Sequence, residues 1–126
     1  LDQAGIRAFR KEHILFVTFA DASGQVLARA NAFADLERRL TVPEAKLDVT
    51  RREDAVVVTT DKFARCVTLS GDAQGDAFGW FFEDNYFDLL PGESKVVRIL
   101  GHHAEGRITA KPQYSPHATT VEWQRP

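Results

Sequence analysis

From residue 13 to residue 124 the chain is a series of short runs rich in Val, Ile, Phe and Thr, broken by clusters of Gly, Pro, Asn, Asp and Ser. Branched and aromatic side chains suit a pleated, half-buried surface, and breaks at roughly 8–12-residue intervals mark the turns between strands. The runs cover residues 13–20, 25–33, 46–51, 55–60, 63–70, 78–82, 86–90, 94–100 and 119–124, with a weaker strand around Ile108. Residues 46–51 alternate, with Leu47 and Val49 on one face and Lys46, Asp48 and Thr50 on the other, as in a sheet with one wet face. In residues 119–124, Thr119, Val121 and Trp123 share one face and Thr120, Glu122 and Gln124 the other. Residues 13–20 are apolar on both faces and predict a central strand. Asp21-Ala22-Ser23-Gly24 predicts the hairpin turn after it, and residues 71–75 predict a loop.

Seven to nine short strands without an amphipathic helix of ordinary length predict an all-β, immunoglobulin-like antiparallel β-sandwich over residues 13–126. A jelly roll or small barrel has a similar pattern. Residues 1–12 show weak helical spacing and read as a linker or leading edge. At 126 residues, with 44% hydrophobic and 27% charged side chains, the chain has enough apolar surface for one packed core. A net charge of -2 with no basic stripe argues against a nucleic-acid partner. No apolar run approaches the ~20 residues of a helical membrane span, so no membrane partner is expected. The single cysteine, Cys66, can form no internal disulfide. The chain has no methionine and begins Leu1-Asp2. It is expected to be a piece of a longer protein, with any targeting signal upstream and a periplasmic or secreted parent favoured.

Pro91-Gly92 is the sharpest local signal. Pro presets φ for the second position of a turn, and Gly takes the positive φ that a type II turn needs at the third. With Leu89 before it and Val97 and Ile99 after it, this dipeptide resembles the corner between the two sheets of a sandwich. The tyrosine often found just after that corner is absent; the position is near Lys95. Glu83, Asp84 and Asp88 could in principle perform paired-carboxylate chemistry or hold calcium. The plainer reading is that Asp84 and Asn85 bond their own turn backbone. His102, His103, Glu105 and His117 are zinc-type ligands, but adjacent histidines on a strand point to opposite faces. Cys66, flanked by Arg65 and Val67 within a strand, reads as a buried, inert thiol. Trp80, Phe81, Phe82, Tyr86 and Phe87 form a dense aromatic stretch that reads mainly as core and docking surface. Within it, Trp80, Phe82 and Tyr86 are candidate sugar or interdomain contacts. No catalytic, cofactor-binding or metal-binding residue is assigned.

The stretch Phe82-Glu83-Asp84-Asn85-Tyr86-Phe87-Asp88-Leu89-Leu90-Pro91-Gly92-Glu93 resembles a signature of the C-terminal immunoglobulin-like domain of β-mannosidases, in glycoside hydrolase family 2. That pattern runs approximately Ser/Glu-Asp-Asn-aromatic-Phe-Asp-Leu-Leu-Pro-Gly-Glu. The residues that carry it here are Asp84, Asn85, Phe87, Asp88, Leu89, Pro91, Gly92 and Glu93. Residues 21–27 resemble the family's first hairpin, and Asn31-Ala32-Phe33 with Leu36, Leu40, Val42 and Pro43 resembles the segment after it. The likeness spans roughly residues 13–123. It implies a non-catalytic, structural accessory domain whose partners are the other domains of a glycosidase. The alternatives are a carbohydrate-binding module or a generic protein-interaction sandwich. In such enzymes both catalytic glutamates of a retaining mechanism sit on a (β/α)₈ barrel. A barrel needs ~250 residues, so neither glutamate is carried over to this chain.

Overall fold

The computed structural model describes residues 12–37, 40–73 and 79–124. Its strands are β1 Ile14–Ala20, β2 Val26–Phe33, β3 Leu47–Arg52, β4 Ala55–Thr60, β5 Ala64–Asp72, β6 Phe81–Phe82, β7 Phe87–Leu89, β8 Ser94–Gly101, β9 Glu105–Lys111 and β10 Thr119–Gln124. The chain divides into two compact units, Leu1–Val42 and Pro43–Pro126. Of the leading segment 1–12, residues 1–11 lie outside the described residues.

In the first unit β1 and β2 form a two-stranded antiparallel hairpin. Its turn is built by Asp21, whose Oδ1 accepts hydrogen bonds from the Ser23 N–H, the Ser23 hydroxyl and the Gln25 N–H at 2.9, 2.6 and 3.0 Å. Gly24 supplies the positive φ, 87°. The central strand expected over residues 13–20 is not observed, because β1 pairs with β2 and with no other described strand. An apolar run shows that both faces of a strand can be buried, but not that strands lie on both sides. Leu15, Val17 and Phe19 lie opposite Ala32, Ala30 and Ala28, giving one wholly apolar hairpin face whose large side chains are exposed.

The second unit is an Ig-like β-sandwich. One antiparallel sheet has the order β10-β9-β5-β7, the other β3-β4-β8-β6. Alternate residues of each strand point inward, so the core is assembled from both sheets. Leu47, Val49, Val56, Val58, Val97 and Ile99 come from one sheet. Val67, Leu69, Phe87, Leu89, Ile108, Ala110 and Trp123 come from the other. The Thr119 hydroxyl joins the sheets along one edge by donating to the Leu47 carbonyl at 2.8 Å. Residues 55–60 and 119–124 form strands over the ranges their sequence predicts.

Two local expectations are corrected. β5 continues through Gly71 and Asp72, which pair with Ile108 and Arg107, where the sequence predicts a loop over 71–75. Gly71 serves close packing rather than a turn: a Cβ there would lie 2.1 Å from Trp80 Cδ2. Gly106 seats the same indole, with Trp80 Cζ2 2.7 Å from where its Cβ would be. Within the run expected over 78–82, the strand begins at Phe81, and Phe78 lies outside the described residues.

Candidate functional site

The segment between β6 and β7 carries the chain from one sheet to the other, since β6 pairs with β8 and β7 with β5. A strand that changes sheets leaves unfinished ladders at both ends, and buried backbone groups need partners. Side chains of the acidic motif supply them. The Glu83 N–H donates to the Arg98 carbonyl at 2.9 Å, and Glu83 Oε2 accepts the Arg98 N–H at 3.1 Å. Two residues later Asn85 does the same on the opposite sheet. Its Oδ1 accepts the Leu69 N–H at 2.7 Å and its Nδ2 donates to the Leu69 carbonyl at 2.8 Å. Asn85 was expected to bond its own turn. It does receive the Tyr86 N–H at 3.0 Å, but its main partner lies across the sheet on β5.

Asp88 deals with a different irregularity. The register between β5 and β7 slips between Ala64, opposite Leu89, and Val67, opposite Phe87. Arg65 and Cys66 therefore both face Asp88, and Cys66 adopts φ 49°. This is a β-bulge, which frees backbone groups from the ladder. The Asp88 carboxylate takes the Cys66 N–H at 2.8 Å and receives Arg65 Nη1 at 2.9 and 3.1 Å. Cys66 is accordingly half-buried at a bulge, not the fully buried mid-strand thiol its sequence predicts.

Asp84 accepts the Asn85 N–H at 2.8 Å and pairs with Lys95 Nζ at 2.5 Å. The hydrogen bond from Lys95 is the main cause that holds its carboxyl below the usual aspartate range, against a smaller opposing effect of burial. The same ammonium lies 4.8 Å from the centre of the Phe87 ring. Lys95 therefore ties the crossover to β7, near the position where Ig-like corners often carry a tyrosine.

The turn at Leu90–Glu93 links β7 of one sheet to β8 of the other. The Glu93 N–H donates to the Leu90 carbonyl at 2.9 Å, and Gly92 has φ 77°, the type II value at that position. Its backbone docks on β4 through Gly92 N–H to Thr60 carbonyl at 3.0 Å and Thr60 N–H to Glu93 carbonyl at 3.2 Å. Leu89 and Phe87 are buried below it and Pro91 is exposed above.

The three candidate carboxylates thus sit in three separate arrangements: Glu83 on β8 backbone, Asp84 on Lys95, and Asp88 on Arg65 and the bulge. The candidate histidines fall in two places. His102 and His103 lie 6.3 and 5.8 Å from the Trp80 ring, and His102 also meets Trp123 edge-on at 5.1 Å. His117 faces Glu44 at 3.5 Å. Among the described residues no three His, Cys, Asp or Glu side chains gather around one point. Of the aromatic candidates, Trp80 is buried, Phe82 is half-buried against the core, and Tyr86 is exposed. Arg65, Leu69 and Arg98 had no sequence signal for their roles, because each is recognised through its backbone or across a long loop.

No curated protein sequence matches the chain. The chain does match the Ig_mannosidase family, described as an Ig-fold domain, over residues 39–115. That range holds the crossover, the bulge and the Pro91-Gly92 corner. The chain belongs to the Ig_mannosidase family of Ig-fold domains, the accessory Ig-like modules of mannosidase-type proteins.

Proposed function

We propose that the chain is the C-terminal accessory domain of a β-mannosidase of glycoside hydrolase family 2, that the chemistry belongs to the rest of that enzyme, and that the domain's partners are the enzyme's other domains. The observation that carries this reading is the use made of the motif. Glu83, Asn85 and Asp88 complete backbone ladders, and Asp84 braces a corner. Retaining hydrolysis needs two carboxyl groups ~5–5.5 Å apart across a substrate cleft. Carboxylates already held by backbone N–H groups and cations serve the fold instead. The apolar hairpin face formed by Leu15, Val17 and Phe19 supports the interdomain role, since a lone two-stranded hairpin is marginal in water and gains stability by covering such a face.

The test is an assay of the purified chain with 4-nitrophenyl β-mannoside beside the parent enzyme. The chain alone should release no nitrophenol above the blank. In the parent, Asn85→Ala should lower the melting temperature while leaving kcat/KM unchanged at temperatures where the variant is folded. Turnover by the isolated chain that disappears in Glu83→Gln or Asp88→Asn would overturn the assignment.

A further inference from the structure

Four non-glycine residues among those described take positive φ: Glu53, Cys66, Tyr86 and Tyr114. Glu53 lies in the tight turn between β3 and β4, an ordinary place for it. The other three line one groove of about 630 Å³ on the outer face of the β5–β9 sheet. Left-handed backbone is costly for bulky side chains and tends to cluster where a fold holds a ligand. Here it aims two phenol rings into the same space, and both tyrosines are substantially exposed, at 69% and 47%.

The groove is held in place from below. Tyr86 follows the Asn85 anchor and donates its N–H to Asn85 Oδ1. Tyr114 follows buried Pro112 and exposed Gln113, and the Gln113 N–H donates to the Arg65 carbonyl at 2.9 Å. Between the rings the floor is made of small hydroxyl side chains. Ser70 lies opposite Thr109 and Thr68 opposite Lys111, all on the face away from the core. Small residues there leave the depth that larger ones would fill.

We propose that this groove is a binding site for an uncharged saccharide. A pyranose has an apolar C–H face that packs on an aromatic ring and a rim of hydroxyls that both donate and accept hydrogen bonds. The groove matches both properties, with a ring at Tyr86, a ring at Tyr114 and hydroxyls from Thr68, Ser70 and Thr109. Among the described residues no carboxylate lines it and Lys111 is its one cation. A polyanion would require several cations, and a metal complex would require acidic or imidazole ligands. The proposal does not depend on which enzyme the domain serves.

The experiment is an amide chemical-shift titration of the whole chain with mannotriose, cellotriose and xylotriose in parallel. At least one sugar should produce saturable shifts at millimolar concentration, centred on Thr68, Ser70, Thr109 and Lys111. Tyr86→Asn and Tyr114→Asn remove the rings while keeping a residue type that tolerates positive φ. Each should weaken binding by about tenfold, whereas Tyr86→Phe and Tyr114→Phe should bind nearly as the native chain does. Should a tyrosine variant fail to fold, Ser70→Leu fills the floor from an exposed position and should abolish the shifts. Three sugars without shifts at tens of millimolar, shifts centred elsewhere, or shifts that survive Ser70→Leu would each overturn the proposal.

Discussion

The side-chain amide of Asn85 pairs with both the N–H and the carbonyl of Leu69, at 2.7 and 2.8 Å. A side chain here occupies the place of a missing strand residue. β7 begins at Phe87, opposite Val67, and the ladder it abandons is continued by Asn85 two residues further along β5. No residue of similar size but Asn offers an acceptor and a donor in this geometry, as a peptide group does.

Replacing Asn85 should therefore cost more than one surface hydrogen bond. Asn85→Ala leaves two backbone groups of a strand whose side chain is buried without protein partners, and should destabilise by about 1–3 kcal/mol. Asn85→Asp keeps an acceptor for the Leu69 N–H but sets a carboxylate against the Leu69 carbonyl, and should cost at least as much. Urea unfolding checks both variants: the midpoint should fall with the slope unchanged.

Gly92 makes a different prediction, because nothing lies within 4 Å of the position its Cβ would take. Any penalty at this site comes from φ 77° alone. Gly92→Val should cost about 1–2 kcal/mol, and Gly92→Asn clearly less. The comparison is made by thermal melting, and equal melting temperatures for the native chain and Gly92→Val would refute the turn type.

At Gly71 the order is reversed, since the constraint is space. A methyl group would overlap the Trp80 indole, so Gly71→Ala should push the ring from its seat and cost about 1–3 kcal/mol. Trp80 is buried in the native chain, so its fluorescence should shift to the red in the variant. Unchanged emission and stability would mean that Trp80 packs elsewhere.

The Asp84–Lys95 pair predicts a pH dependence. Lys95 holds the Asp84 carboxyl below its unfolded value, so on acidification the unfolded state takes up the proton first. The pair's contribution is complete above the ordinary aspartate range and is lost as pH falls through that value to the lower, folded one. Asp84→Asn should thus be less stable than the native chain near neutrality, and the gap should close as the pH falls through and below the ordinary aspartate range. Both side chains are more than a third exposed, so the gap should be small and should shrink in salt. A gap that widens in acid would assign the pair the opposite sign.

The strands of the sandwich were legible because each is a local statement. Alternation in residues 46–51 and 119–124 reports which side chains turn inward, and the structure buries Leu47, Val49 and Trp123 as that pattern requires. Pro91-Gly92 was equally legible, since φ preferences act within a few residues. Gly71 misled because glycine marks both turns and close contacts, and only the position of Trp80 separates the two. Cys66 misled because a bulge depends on how two strands register, not on the residue that is extruded. The crossover motif was recognised by its residues, but their partners Leu69, Arg65 and Arg98 lie 15 to 23 residues away and are met largely through backbone.

By itself, then, the sequence determined the all-β class, the strands at 55–60 and 119–124, the corner at Pro91-Gly92 and the likeness to a mannosidase Ig-like domain. The class, the strands and the corner rest on backbone preferences and side-chain periodicity, which operate over two to ten residues, whereas the likeness rests on the residue motif of 82–93. Tertiary structure alone decided that Asn85 and Glu83 complete two different sheets, that Asp88 satisfies a bulge, and that Tyr86 and Tyr114 open on one groove. Such relationships join residues distant in the chain, and only the packing of two sheets across a common core brings them within hydrogen-bonding reach.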